Sequence, residues 1–292
     1  MNCLMKSLYV LMFLLIATAC KEDKQTMLKG EAKLYTDNSV FPVVEDQLKI
    51  FQNTYTQAAI ELVATEENQL INKLIQDSVN LLVLPRLLTD KEEKIFRDKK
   101  IKPRITRFGI DAVVFITNKQ NQDSVVNLTM VANDLKQIKQ LDKSLVFDNP
   151  NSSVTNTLLK HFGMEITPET KLFSKGNAQE LIKYVSSNQD CIGVLSLNWI
   201  TQYPLELENF IQNIKVLGVQ IDDNQVVFPT QNKIATKAYP LTRELFFLNY
   251  QGTSGLGMGF ASFLTSDIGQ KIMLTSGLAP MEVNPMKITV MK

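Results

Sequence analysis

The sequence predicts an α/β protein with largely parallel sheets, and three observations carry that expectation. Short continuous apolar runs recur, Leu81-Leu82-Val83-Leu84, Ala112-Val113-Val114-Phe115-Ile116 and Cys191-Ile192-Gly193-Val194-Leu195. Each has the length of a strand covered on both faces. Between them lie segments whose apolar residues repeat at helical spacing, the pattern of strands joined by right-handed crossover helices. The chain has 292 residues and 3 cysteines, too few for a disulfide framework, so packed cores must hold it.

Taken in order, residues 33–36 read as a strand, and 42–55 as a helix with Val44, Leu48, Phe51 and Tyr55 on one face. Residues 60–64 read as a strand and 66–76 as a helix with Leu70 and Leu74 inward. The run 81–84 suits a buried parallel strand, and 90–99 a charged surface helix. Arg104 and Arg107 follow Pro103 in a surface strand, and 111–118 is the longest strand candidate. Residues 145–147 precede a helix over 153–162 with Val154, Leu158 and Phe162 aligned; 177–186 forms another helix and 191–196 another buried strand. A late strand over 244–249 is followed by helices over 256–264 and 266–276. There is no internal repeat and no long Pro, Gly or Ser linker. Two lobes would therefore have to be joined through ordinary strands, best placed at 111–118 outward and 237–249 on the return.

The N-terminus has the layout of a secretory signal: Lys6, an apolar stretch over 8–16, then small residues and Cys20. The stretch is too short for a membrane span. Cysteine directly after Ala17-Thr18-Ala19 is the arrangement of a bacterial lipoprotein signal, so residues 1–19 are expected to be removed and Cys20 lipidated. Three acyl chains, at about 0.8 kcal/mol per buried methylene, make a lasting anchor. Residues 20–31 then form a charged, lipidated tether. Its start, Lys21-Glu22-Asp23, resembles a signal that sends some Gram-negative lipoproteins to the cell surface. The expected location is the outer membrane, on its periplasmic face or at the surface.

Removal of residues 1–19 leaves thirty basic and thirty acidic residues. A neutral chain gives no argument for nucleic acid or for an acidic membrane surface. Cys191 opens an apolar run and reads as core. His161 has no Cys, His or acid cluster at metal-ligand spacing and reads as a helix-surface residue. There is no HExxH, P-loop lysine or G-x-S-x-G, so no enzyme, cofactor or metal is expected. The run Gly252-Thr253-Ser254-Gly255-Leu256-Gly257-Met258-Gly259 is not GxGxxG and reads as a flexible entry to a helix. Trp199 reads as packing. Arg243 could serve a cleft or make a surface ion pair, the latter being the plainer reading.

Three loops place small polar residues between an expected strand and helix: Asp37-Asn38-Ser39-Val40, Pro85-Arg86, and Asn149-Pro150-Asn151-Ser152-Ser153. Helix N-termini suit an oxyanion, and ligands of open α/β sheets bind beyond the carboxyl ends of strands. Each loop could equally be a plain N-cap.

With these loops in view, the sequence from about Lys33 to Pro280 resembles the phosphate-binding-protein-like substrate-binding proteins of ABC importers, with the type II periplasmic-binding fold. The resemblance rests on Thr36-Asp37-Asn38-Ser39-Val40-Phe41-Pro42, Arg86-Leu87-Leu88-Thr89-Asp90-Lys91-Glu92 and Phe147-Asp148-Asn149-Pro150-Asn151-Ser152-Ser153. It also rests on Tyr239-Pro240-Leu241-Thr242-Arg243-Glu244-Leu245, Phe260-Ala261-Ser262-Phe263-Leu264, Gly269-Gln270-Lys271-Ile272 and Ser276-Gly277-Leu278-Ala279-Pro280. It implies two lobes, 32–114 with 240–292 and 115–239, each a mainly parallel sheet flanked by helices. It implies a ligand, phosphate first, held by Ser39, Val40, Asn151, Ser152 and Ser153, with Arg86 as the counter-charge. It also implies delivery to a membrane transporter, an ABC permease or outer-membrane machinery. The third loop departs from the family, which has an arginine a few residues ahead of Ser-Gly-Thr where this chain has Asp148-Asn149-Pro150-Asn151. Asp148 there would repel a dianion unless it accepts a phosphate proton or points away. That departure keeps a rival open: an envelope interaction protein with the binding-protein fold and no transport role.

Overall fold

The computed structural model describes residues 25–136, 141–164, 172–222 and 225–281. The expected signal segment, Cys20 and the start of the tether lie outside the described residues. No helix among the described residues is long and apolar enough to cross a membrane.

One continuous sheet runs through two lobes, its strands lying side by side in the order Ala58–Thr65, Gly30–Asp37, Leu81–Leu84, Thr242–Asn249, Arg104–Asn118, Cys191–Ser196 and Ser144–Phe147. In the first lobe β1 (Gly30–Asp37) lies parallel to both β2 (Ala58–Thr65) and β3 (Leu81–Leu84). In the second, β6 (Ser144–Phe147) lies parallel to β7 (Cys191–Ser196). The lobes are joined by β4 (Arg104–Asn118) and β11 (Thr242–Asn249). β4 pairs antiparallel with β11 over Arg104 to Ala112, then with β7 from Val113 to Ile116. The surface strand expected around Arg104 and the buried strand expected from 111 are thus one element. Its outer part escapes an apolar-run reading because Arg104, Ile105 and Arg107 are all exposed, so neither face of the strand carries a continuous apolar row there.

The helices cover the sheet as their apolar spacing requires. In α1 (Phe41–Thr54), Val43, Val44, Leu48 and Phe51 are buried. Phe51 meets the rings of Phe260 and Phe263 edge-on at 5.4 and 5.5 Å. Further helices include α2 (Glu67–Ile75), α3 (Asp90–Asp98), α4 (Leu128–Leu135), α5 (Ser153–His161) and α6 (Ala178–Ser187), and, near the end of the described chain, Leu256–Leu264 and Asp267–Thr275. Short α7 (Asn198–Thr201) follows β7 directly. Helix α4, a small sheet of β5 (Val125–Asn127), β9 (Gly218–Asp222) and β10 (Gln225–Val227), and β8 (Ile214–Val216), which pairs with β4, were not expected, because short pieces lack enough periodicity to register.

The glycine run 252–259 has a packing role. A Cβ on Gly259 would lie 1.7 Å from the Met27 carbonyl oxygen, so this glycine lets the N-terminal segment cross the helix Leu256–Leu264 in backbone contact. Cys191 is a free, buried core thiol and His161 lies exposed at the end of α5, as expected.

Candidate functional site

Each lobe brings a serine to the interface at the start of a helix. In the first lobe β1 ends in Asp37, whose carboxylate accepts the Ser39 backbone N–H at 3.0 Å and so caps the 3-10 turn Asn38–Val40 leading into α1. In the second lobe Ser152 caps α5, accepting Thr155 N–H at 3.2 Å, and the next residue, Ser153, turns inward. Ser39 Oγ and Ser153 Oγ stand 2.8 Å apart across the lobes. Both hydroxyls donate to Asp37 Oδ1, Ser153 at 2.7 Å and Ser39 at short range.

Their remaining acceptor capacity faces Arg243. The guanidinium donates through Nη1 to Ser153 Oγ at 2.9 Å and through Nη2 to Ser39 Oγ at 2.8 Å. Behind it, Nε bonds Asp111 Oδ2 at 2.8 Å, and Ser196 Oγ bonds the same oxygen at 2.7 Å. Alternation along β11 places Arg243 here: its side chain is 3% exposed, while the next residue, Glu244, faces out to Arg107 and Lys237. The surface ion pair read for Arg243 is therefore corrected. The partner is a carboxylate buried in the middle of β4, and burial of both charges demands the pairing.

The lobes are also tied by two residues that the sequence reading did not assign to a site. Asn198 donates to the Ser39 carbonyl at 2.6 Å and accepts Val43 N–H at 2.8 Å. Trp199, expected to be packing, is buried and donates Nε1 to the Asn38 carbonyl at 3.1 Å.

The predicted site residues divide. Ser39, Val40, Ser152 and Ser153 are buried at the interface of the two helix starts. Asn151 is exposed, its N–H spent on Asn149 Oδ1 at 2.9 Å. Arg86 bonds Glu67 at 2.8 Å and Glu92 at 2.9 and 3.1 Å, and does not reach the serines. Burial opposes the Arg86 charge, but the bonds it donates to Glu92 and the charge of Glu67 outweigh that and hold the guanidinium firmly protonated. Asp148 does not point away from the cleft: it is buried beside Ser152, whose hydroxyl it accepts at 2.7 Å. Burial, reinforced by Glu66 and Asp37, pushes its carboxyl up to about 7. Between the lobes, next to this network, is a cavity of about 260 Å³ with Asn38, Glu66, Asp148, Asn177 and Trp199 in its wall. No cluster of three or more acidic, His or Cys residues able to hold a metal occurs among the described residues.

A two-lobed sheet crossed by two antiparallel strands, with polar helix starts facing each other over a cleft, is the architecture of a periplasmic-type binding protein. The profile of the PBP superfamily domain matches residues 24–267, and the chain belongs to that superfamily. Among solved structures it is similar to one described as a phosphate ABC transporter substrate-binding protein of Clostridium perfringens, with phosphate bound. Identity is 16% over 87% of this chain and 100% of that one, with a TM-score of 0.71. An ABC-type phosphate transport receptor of Vibrio cholerae is 15% identical over 86% of this chain and 99% of its own, TM-score 0.60. The OxyR2 regulatory domain of Vibrio vulnificus shares the fold at 15% identity over 82% and 97%, TM-score 0.54. At these identities the likeness is one of fold. No curated protein matches the sequence.

Proposed function

We propose that this chain is a lipid-anchored, non-catalytic solute-binding protein that takes phosphate or a similar small oxyanion between its lobes for delivery to a membrane transporter. The convergence of Ser39, Ser153 and Arg243 from both lobes carries the reading, since it assembles hydroxyl and guanidinium donors around one point. Val40 and Ser152 belong to the same helix starts. Arg243 fills the counter-charge role that the sequence suggested for Arg86. Lobe 1 comprises 32–114 and 240–292 and lobe 2 comprises 115–239, with β4 and β11 as the hinge. Cys20 is the lipidated residue, and the outer membrane, on either face, is the location; the mass of the N-terminal peptide tests the three acyl chains.

Asp37 shapes the selectivity of this site. Its Oδ1 takes the donors that an oxyanion would need, and its Oδ2 is buried with no partner among the described residues. Two like charges about 4 Å apart repel by roughly 4 kcal/mol at an effective dielectric of 20. An oxyanion that carries a proton can donate it to Asp37 Oδ2 and avoid that cost; a fully ionised one cannot. Titration calorimetry of the full chain in detergent should therefore show micromolar binding, about −8 kcal/mol, for phosphate and none for sulfate or molybdate. Equal binding of sulfate would overturn the role of Asp37.

The same carboxylate supports a second reading, an envelope interaction protein with no transport role, because the donors already satisfy one another with the lobes together. A folded protein silent to every oxyanion, yet retaining an envelope protein in pull-downs, would favour it.

A further inference from the structure

The cavity beside the closed network has the opposite chemistry from the network itself. Glu66 and Asp148 enter it from opposite lobes, and Phe41 and Trp199 line it as well. Asp148 is 5% exposed, and both of its hydrogen bonds, from Asn149 N–H and Ser152 Oγ–H, fall on Oδ1. Its second oxygen has no partner among the described residues. Glu66 is half-buried and accepts Asn38 through Oε1, while its Oε2 is enclosed and has no partner among the described residues.

No basic side chain among the described residues answers these two carboxylates. Arg86 is committed to Glu67 and Glu92, and Arg243 to Asp111. Burial accordingly raises both carboxyls, and Asp37 adds to each; Glu66 adds further to the rise of Asp148. The start of α6, which would favour an anion, is already capped by Asn177, which accepts Glu180 N–H at 2.9 Å. Buried carboxylates without a counter-ion are costly, and a bound cation removes that cost. Two aromatic rings in the same wall suit an organic cation. A metal ion is a poorer match, since the third acidic, His or Cys ligand is missing among the described residues.

We propose that this cavity is an ammonium subsite, which takes the cationic head of a small amine between Glu66 and Asp148 and against Phe41 and Trp199. The inference rests on the reading of the interlobe cleft as a solute site and narrows the cargo to a molecule that bears an amine. At about 260 Å³ the space is below the ~300 Å³ at the small end of ordinary ligand pockets, so the amine carries few carbons. If the Arg243 network also takes an oxyanion, the cargo is a compact zwitterion of the phosphorylated-amine class.

Calorimetry of the full chain in detergent against ethanolamine, choline, phosphate and O-phosphoethanolamine separates the cases, with thermal melts to confirm folding. Saturable binding of ethanolamine or choline is expected, weakened at least about tenfold by Glu66→Gln, which removes one charge of a desolvated pair. Asp148→Asn should weaken it similarly. Phosphate binding with neither amine bound nor competing would overturn the subsite and leave the oxyanion reading standing. Amine binding with phosphate silent would support the subsite and overturn the oxyanion reading. Tighter binding of O-phosphoethanolamine than of either half would support both. Amine affinity unchanged within twofold in both variants, or no heat from any compound, would overturn the subsite.

Discussion

The loop after β3 and the returning strand β11 each carry one arginine, and they use it in opposite ways. Arg86 is 28% exposed at its side chain and serves a local cluster with Glu67 and Glu92. It braces the start of α3, where Glu92 also accepts Thr89 N–H in a capping box. Arg243 is nearly enclosed and joins β4, the first-lobe serine and the second-lobe serine in one network. A loop position next to a helix start suggests a ligand contact, but neighbouring acids decide where a guanidinium goes. Arg86 has two within reach of its own loop, whereas Arg243 has one, and that one lies behind it.

The strongest test of the contrast is to remove each cation in turn. Arg243→Met leaves Asp111 buried and unpaired and strips two donors from the interface, a loss of about 3–5 kcal/mol. Arg86→Met acts on a partly solvated cluster and should cost about 1 kcal/mol, the range of exposed pairs. Urea denaturation measures both. Equal losses would erase the distinction, and recovery of much of the loss in Arg243→Met with Asp111→Asn would sharpen it.

Asp148 supplies the next largest effect, and its sign is specific. Its carboxyl is raised from 3.8 to about 7 in the folded chain. Its stabilising contribution is thus fully present below the unfolded pKa and is lost as pH rises towards 7. Asparagine keeps the acceptor for Asn149 and Ser152 without the charge. Asp148→Asn should therefore be more stable than the parent at pH 8, on the order of 4 kcal/mol, with the gain fading towards pH 4. A gain independent of pH would mean that charge is not the cause.

Much of this was legible in the sequence where one residue sufficed to signal an element. The runs 81–84 and 191–196 are strands with the bounds expected, because sheets covered on both faces leave continuous apolar segments. Ser39 and Ser153 were legible as polar residues at strand-to-helix loops. Asp37 was quoted within its loop, but its role as internal acceptor depends on Ser153, over a hundred positions away. Asp111 was the missed clue. A carboxylate inside Gly109-Ile110-Asp111-Ala112-Val113 can be buried only with a cation, which points to an arginine elsewhere in the chain. Which arginine could be found only from the pairing of β4 with β11, which puts Arg243 opposite Asp111. The cavity was illegible for the same reason, since Glu66 and Asp148 come from different lobes.

The smallest expected effect lies one residue along from Arg243. Glu244 occupies the other face of β11, where Oε1 accepts Arg107 at 2.9 Å and Lys237 at 2.7 Å. The bond from Lys237, against a modest cost of burial, holds its carboxyl below the ordinary 4.5. The contribution is therefore present above that pH and lost as pH falls through the lowered value, the reverse of Asp148. All three side chains keep water contact, so screening limits the pair to less than about 1 kcal/mol. Glu244→Gln should lower stability at pH 7 by no more than that, and the difference should shrink in 1 M salt, where charges are screened beyond about 3 Å. A loss approaching that of Arg243→Met would mean that the outward face of β11 contributes to joining the lobes as much as the inward one, and alternation along the strand would no longer explain why these adjacent residues differ.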